Sequence, residues 1–154
     1  MDCVRGIDYS SGGFTWRIRN RDPNAGDDSF IYDSWLDSYA KGSDEAKATP
    51  SRFYRQGEHK LIERCLARSN VLLACNPEAE QHIFGYIVAE TGFAPCLHYL
   101  YVKNFYRRAG LARSLMNYTL DYERLEYSHR TAVFKKFMNL KSEKITFNPY
   151  RFWL

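Results

Sequence analysis

The chain has 154 residues, enough for one domain whose core needs no covalent staples, and 45% apolar against 26% charged residues is an ordinary globular balance. No apolar stretch approaches the ~18 residues of a membrane span, residues 1–13 contain no apolar export segment, and the four cysteines form no CxxC pair. These features argue against a membrane or secreted protein and point to reduced thiols, no metal site and a cytoplasmic location. The net charge of +4 is unevenly spread. Residues 1–102 hold 11 Lys/Arg against 14 Asp/Glu, whereas residues 103–154 hold 11 against 4. An anion on the C-terminal part and a cation on the N-terminal part would both suit this split, and so would two solvated faces.

In chain order, the alternation of FTWRIRN (14–20) predicts a strand. RDPNAGDD is a turn in which Asp27 or Asp28 can cap a helix over 29–41, with Ile31, Trp35 and Tyr39 on one face. After Pro50 a second helix is predicted over 52–69, with Leu61, Ile62, Cys65 and Leu66 as its apolar stripe and Gly57 as a break near its start. Strands over 71–75, 82–90 and 96–104 read as a meander. A helix is predicted over 109–127, where Leu111, Leu115, Tyr118, Tyr122 and Leu125 recur at helical spacing. TAVFKKF (131–137) reads as a strand, 138–144 as a short helix or loop, and 145–154 as a strand broken by Pro149. The result is one α+β unit of order βααβββαββ, with no repeat or linker.

The most informative stretch is YVKNFYRRAGLARSLM (101–116), a strand that runs into a basic, glycine-containing turn and then a helix. A helix start exposes free backbone N–H groups and favours anions. Gly110 and Ala112 leave room for close backbone approach, and Arg107, Arg108 and Arg113 add positive charge. The stretch therefore reads as a phosphate or pyrophosphate cradle, or as a capped helix behind a basic surface turn. The Walker pattern GxxxxGK[ST] and the dinucleotide fingerprint GxGxxG are both absent.

This strand–turn–helix resembles the central signature of the GNAT-type N-acetyltransferases, in which a strand ending Leu-x-Val precedes Arg/Gln-x-x-Gly-x-Gly/Ala at a helix start. Leu100 and Val102 stand at the strand end, and Arg107, Gly110 and Ala112 at the signature positions. The order of elements is similar to that family's too, and the short chain with its Pro-Tyr-Arg-Phe-Trp ending resembles small phage-encoded members. The resemblance implies a single domain over 1–154 with a GNAT-like mixed, mostly antiparallel central sheet and helices on both faces. Residues 1–13 would be an N-terminal extension, 14–102 the acceptor-side half and 103–154 the cofactor-side half.

It further implies acetyl-CoA as cofactor. The N–H groups of Arg108, Ala109, Gly110, Leu111, Ala112 and Arg113 would hold the pyrophosphate beside Arg107. The strand edge at Tyr101, Val102 and Lys103 would pair with the pantetheine arm, the Val102 N–H would meet the thioester oxygen, and Asn139 would touch the cofactor. An amine acceptor would meet Tyr32, Asp33 and Trp35 on the first helix, where Asp33 and Asp37 are also spaced as a solvated acidic face. A lysine-like amine has a pKa near ~10.4 and needs help to lose its proton. His98 is the first base candidate, at an unperturbed pKa of ~6.5, although a packed strand histidine would look the same. Glu90 is the second. Relatives usually carry a proton-donating Tyr on the helix after the strand assigned to 131–137; residues 138–144 contain none, and Tyr150 lies just beyond.

Two functions follow from the resemblance. One is transfer of an acetyl group to an amine of a small molecule or protein, in the cytoplasm of a host cell if the chain is phage-encoded. The other is a GNAT-fold protein with little turnover that modulates a partner protein, for example a host enzyme. Nucleic-acid binding, for which the basic C-terminal part and many aromatics would speak, lacks any RNP-type motif.

Overall fold

The computed structural model describes residues 6–120, 124–138 and 144–151. Its centre is a seven-stranded sheet whose strands lie side by side in chain order. They are β1 (Ile7–Ser11), β2 (Phe14–Asn20), β3 (Asn70–Asn76), β4 (Ala79–Glu90), β5 (Cys96–Val102), β6 (Leu125–Tyr127) and β7 (Ile145–Phe147). Strands β1 to β5 are antiparallel, while β5, β6 and β7 run parallel. The helices are α1 (Asp27–Gly42), the single turn α2 (Asp44–Lys47), α3 (Ser51–Arg68), α4 (Leu111–Thr119) and α5 (Ala132–Met138).

Helices cover both faces, which is why VLLAC in β3 is an unbroken apolar run rather than an alternating one. Val71 and Leu73 pack with Ile31, Trp35, Tyr54, Ile62 and Cys65 of α1 and α3. Leu72 and Ala74 pack on the other face with Leu111, Leu115 and Met116 of α4 and Phe134 of α5. Serines one turn apart on α1 tie it to the sheet: Ser34 Oγ lies 3.0 Å from the Tyr86 hydroxyl and Ser38 Oγ 2.6 Å from that of Tyr99. Among the described residues no helix is long and apolar enough to cross a membrane.

Besides a register shift at the tip of the β3–β4 hairpin, between Cys75 and Asn76, two bulges break the regular alternation. Ala74 pairs with Gly85 and Cys75 with Ile83, so Phe84 has no opposite residue. Val88 pairs with Tyr99 and Ala89 with Leu97, so His98 has none. Each extra residue exchanges the faces of everything beyond it. Phe84 and Tyr86 accordingly enter opposite cores, as do Leu97 and Tyr99.

The fold class is as the sequence predicts, but several boundaries move. Part of the expected extension 1–13 is strand β1, paired along β2. Asp27 does not cap α1: Gly26 holds the cap position at φ 81°, and the Asp27 carboxylate turns back to accept from Arg19 and the Asp22 N–H. Gly57 sits within an uninterrupted α3. The helix predicted over 109–127 stops at Thr119 because Leu120 is already extended, and Leu125–Tyr127 is a strand. The predicted strand 131–137 is helix α5, started by the Thr131 hydroxyl, which accepts from the Phe134 N–H at 3.1 Å. Its valine and aromatics imitate a strand, whereas Phe134 and Met138, four apart, both pack against the α4-side core.

Two glycines test this description. A Cβ on Gly85 would press on the Tyr101 carbonyl oxygen across the β4–β5 ladder, so Gly85→Ala should lose about 1–3 kcal/mol of stability in urea titration. A Cβ on Gly57 meets nothing within 4 Å in the exposed middle of α3, so Gly57→Ala should gain about 0.5–1 kcal/mol.

Candidate functional site

Strand β5 has unequal neighbours. Against β4 it pairs from end to end apart from the bulged His98; against β6 only Cys96 and Leu97 find partners, Glu126 and Tyr127. The Ser128 N–H closes the last link to the Leu97 carbonyl at 3.1 Å, and the chain then leaves for α5. A cleft of about 1350 Å³ opens where the strands part. Its floor is Tyr99, Tyr101 and Val102, one wall is the turn and the start of α4, and the opposite walls are the C-terminal end of α1 and helix α5.

The turn is tightly folded. Arg108 and Gly110 adopt left-handed backbone at φ 68° and 89°, and Gly110 leads directly into α4. The first cap bond of α4 comes from the Ser114 N–H to the Gly110 carbonyl at 3.0 Å. Among the described residues no carbonyl accepts from the N–H groups of residues 108–113. Arg107 is anchored: its Nε donates to the Val102 carbonyl at 2.9 Å, fastening the turn to the strand end. Arg108 and Arg113 are exposed at the rim. The Lys103 N–H donates to Phe84 on β4, so strand alternation aims the neighbouring Val102 N–H away from β4 and into the gap. Free N–H groups at a helix start, three guanidiniums and an open strand edge make a donor set suited to a phosphate or pyrophosphate with an extended chain attached.

Of the residues expected to hold a cofactor, Tyr101, Val102, Arg107, Arg108, Gly110, Leu111, Ala112 and Arg113 line this cleft. Lys103 and Ala109 flank it; Lys103 instead lies over the Phe30 ring, 5.0 Å from its centre. Asn139 lies outside the described residues. The acceptor-side residues are not brought together. Trp35 is wholly buried and stacks on Tyr99 at 4.4 Å between ring centres, so it is core and not groove. Tyr32 stacks on His59 of α3, and Asp33 is exposed one turn too early on α1. The α1 residues at the cleft are Asp37, Ser38, Lys41 and Gly42, with Asp37 and Lys41 ion-paired at 3.0 Å. Helix α5, with the Thr131 that caps it, adds Val133, Phe134, Lys136 and Phe137, a contribution hidden by the strand assignment although a threonine in that position is a helix-capping residue.

The catalytic candidates lie elsewhere. Tyr150 is exposed in the turn after β7, its N–H on the Asn148 side chain. His98 and Glu90 sit beneath the cleft, in a buried polar chain. Glu90 Oε2 is 2.7 Å from His98 Nε2, and His98 Nδ1 is 2.7 Å from Ser128 Oγ. Ser128 Oγ is 3.0 Å from His129 Nδ1, and His129 Nε2 is 2.7 Å from Glu58 Oε2. Arg68 and Arg151 also approach Glu90, at 3.3 and 3.8 Å. Burial pushes the His98 imidazole down to about 4, against the pull of Glu90. Cys96 completes a Glu90–Cys96–His98 trio with ligand atoms within 4.8 Å, but burial pushes its thiol up to about 12, both His98 nitrogens are engaged, and two guanidiniums share the carboxylate. The trio suits protons better than a cation.

No family model and no curated protein matches the chain. Solved structures do. One is the PaiA N-acetyltransferase from Thermoplasma acidophilum, solved in complex with coenzyme A: 18% identity, TM-score 0.50, covering 82% of this chain and 87% of that one. Another is an integron cassette protein from the mobile metagenome of V. cholerae: 13% identity, TM-score 0.51, covering 85% and 87%. This chain thus has the fold of the GNAT acetyltransferases.

The depressed His98 value has a consequence for stability. The unfolded chain binds a proton at this imidazole below about 6.5, which the folded chain refuses until about 4. Stability should therefore fall as pH drops from 6.5 towards 4, by about 2–3 kcal/mol in total, and be insensitive to this group above 6.5. Urea titrations at pH 7 and 4.5 should show the loss, and His98→Asn should flatten it.

Proposed function

We propose that the chain binds acetyl-CoA in the cleft between β5 and α5 and transfers the acetyl group to an amine of a small molecule or protein. The observation that carries this reading is the parting of β5 from β6 beside residues 107–113, with the Val102 N–H aimed into the gap. Bound acetyl-CoA would supply an activated thioester acyl group. The N–H groups of residues 108–113, with Arg108 and Arg113, would bind its pyrophosphate, and Arg107 would hold the turn in register with the strand. Tyr101 to Lys103 would offer their free edge to the pantetheine arm. The Val102 N–H would donate to the thioester oxygen as charge gathers there, the usual task of a preorganised backbone donor. Asp37 would draw a cationic acceptor to the cleft wall. Tyr99, which lines the cleft and whose hydroxyl burial keeps protonated, is our candidate donor to the departing thiolate. His98 and Glu90 do not line the cleft, so direct proton removal from the acceptor is not assigned to them.

A second reading keeps binding and drops turnover. It is favoured by α5, which brings Phe134 and Phe137 to the cleft and has no tyrosine to serve as a proton donor.

Calorimetric titration of the full chain with acetyl-CoA should show saturable binding. Arg108→Glu with Arg113→Glu should weaken it at least about tenfold, a loss of ~1.4 kcal/mol. Wild-type protein that shows no binding would sink both readings. CoA release across a panel of amines would then separate them: release supports transfer, and binding without release supports the partner-modulating protein.

A further inference from the structure

The buried chain from Glu90 to Glu58 does not add up in protons. It has four links: Glu90 to His98, His98 to Ser128, Ser128 to His129, and His129 to Glu58. Each link needs one hydrogen between its two heavy atoms. A neutral imidazole carries one N–H and serine one O–H, so two histidines and Ser128 supply three. With three, one link sets a lone pair against a lone pair at about hydrogen-bond distance, inside a region where His98, Ser128, His129 and Glu58 are all buried. With five, both imidazoles donate to Ser128 and its own hydrogen loses its partner in the chain. Four satisfies every link.

Charge gives the same count. Among the described residues, the groups facing the chain are Arg68 and Cys65 from α3, Cys96 on β5, Glu126 on β6 and Arg151 beyond β7, with Tyr54, whose phenol burial also raises, and the Arg130–Glu45 ion pair at the Glu58–His129 end. Tyr39 and Tyr99 press their rings on His129. Burial raises both thiols and both phenols, leaving them neutral. The Arg130–Glu45 pair cancels, so three carboxylates, Glu58, Glu90 and Glu126, stand against the guanidiniums of Arg68 and Arg151, one positive charge short. Both guanidiniums lie at the Glu90 end, on Glu90 and Glu126, so the shortfall is at Glu58, whose charged neighbour in the chain is His129.

We propose that Glu90, His98, Ser128, His129 and Glu58 form a buried proton-binding site that holds one proton beyond the complement of two neutral imidazoles, and that this proton resides on the His129–Glu58 pair. In this state His129 donates to Ser128 and to Glu58, Ser128 donates to His98 Nδ1, and His98 donates through Nε2 to Glu90. Ser128 and His129 lie directly before Thr131 and α5, so the proton fastens the root of one cleft wall to α3. Its loss would break a link between that wall and the α3 layer while leaving β1 to β5 untouched.

Glu58→Gln tests the count. A glutamine amide can donate to a neutral His129, so all four links are satisfied with no added proton. Folded wild type and folded Glu58→Gln should therefore have the same net charge at pH 7.5, although in urea the variant is one unit more positive. Capillary electrophoresis of both states reads this directly, with circular dichroism to establish folding. A folded variant one unit more positive than folded wild type overturns the proposal. If the variant does not fold, the wild-type chain decides alone. Urea unfolding at pH 7.2 in weak buffer, where a free imidazole is mostly neutral and thiols are still protonated, should release about two thirds of a proton, the remaining third being kept by the two freed imidazoles. No release overturns the site.

Discussion

A single inserted residue, His98, decides how the second half of the sheet is presented. Because side chains alternate with a period of two, one extra residue in β5 moves everything after it to the other face. Without the bulge Tyr99 and Tyr101 would point at α4, and Leu100 and Val102 at α1. With it, Tyr99 reaches Ser38 and stacks on Trp35, and Val102 joins Leu111 and Leu115 in the opposite core. The bulged imidazole itself is directed between Glu90 and Ser128, which joins β4 to the end of β6 at the point where the strands separate. The cleft and the polar chain beneath it are two sides of one distortion.

The same arrangement explains what could be read in advance. Phe14–Asn20, the three meander strands and the two long N-terminal helices follow from periodicity, because each buries a continuous stripe or face. The candidate anion-binding turn was legible because its chemistry is local: three small residues, three arginines and a helix start within seven positions. The acceptor side was not. Asp33 and Asp37 are equivalent by helical spacing, and only the crossing of α1 over β5 brings Asp37 and not Asp33 to the cleft. Trp35, read as a groove aromatic, is buried between α1 and the sheet.

The C-terminal part misled for a different reason. Leu125 continues the helical stripe of Leu111, Leu115 and Tyr118, so periodicity alone extends α4 into what is β6. Thr-Ala-Val-Phe has the composition of a strand, yet the Thr131 hydroxyl and the contacts of Phe134 make it a helix. Both elements are short, and short elements take their conformation from tertiary packing more than from propensity. The bulges left no local mark at all, so the burial of His98 became visible only with the strand pairings.

The brevity of the β5–β6 junction has a mechanical meaning. Five antiparallel strands form a stiff plate, whereas β6, β7 and α5 are attached to it by two register pairs, a few backbone bonds and the side-chain chain that crosses the seam. Opening such a seam breaks few backbone hydrogen bonds, and its cost lies in drawing Leu125, Tyr127 and Phe134 out of the α4-side core. Among the described residues the sheet's backbone connection is thin at the β5–β6 seam, and that line runs along the wall of the cleft.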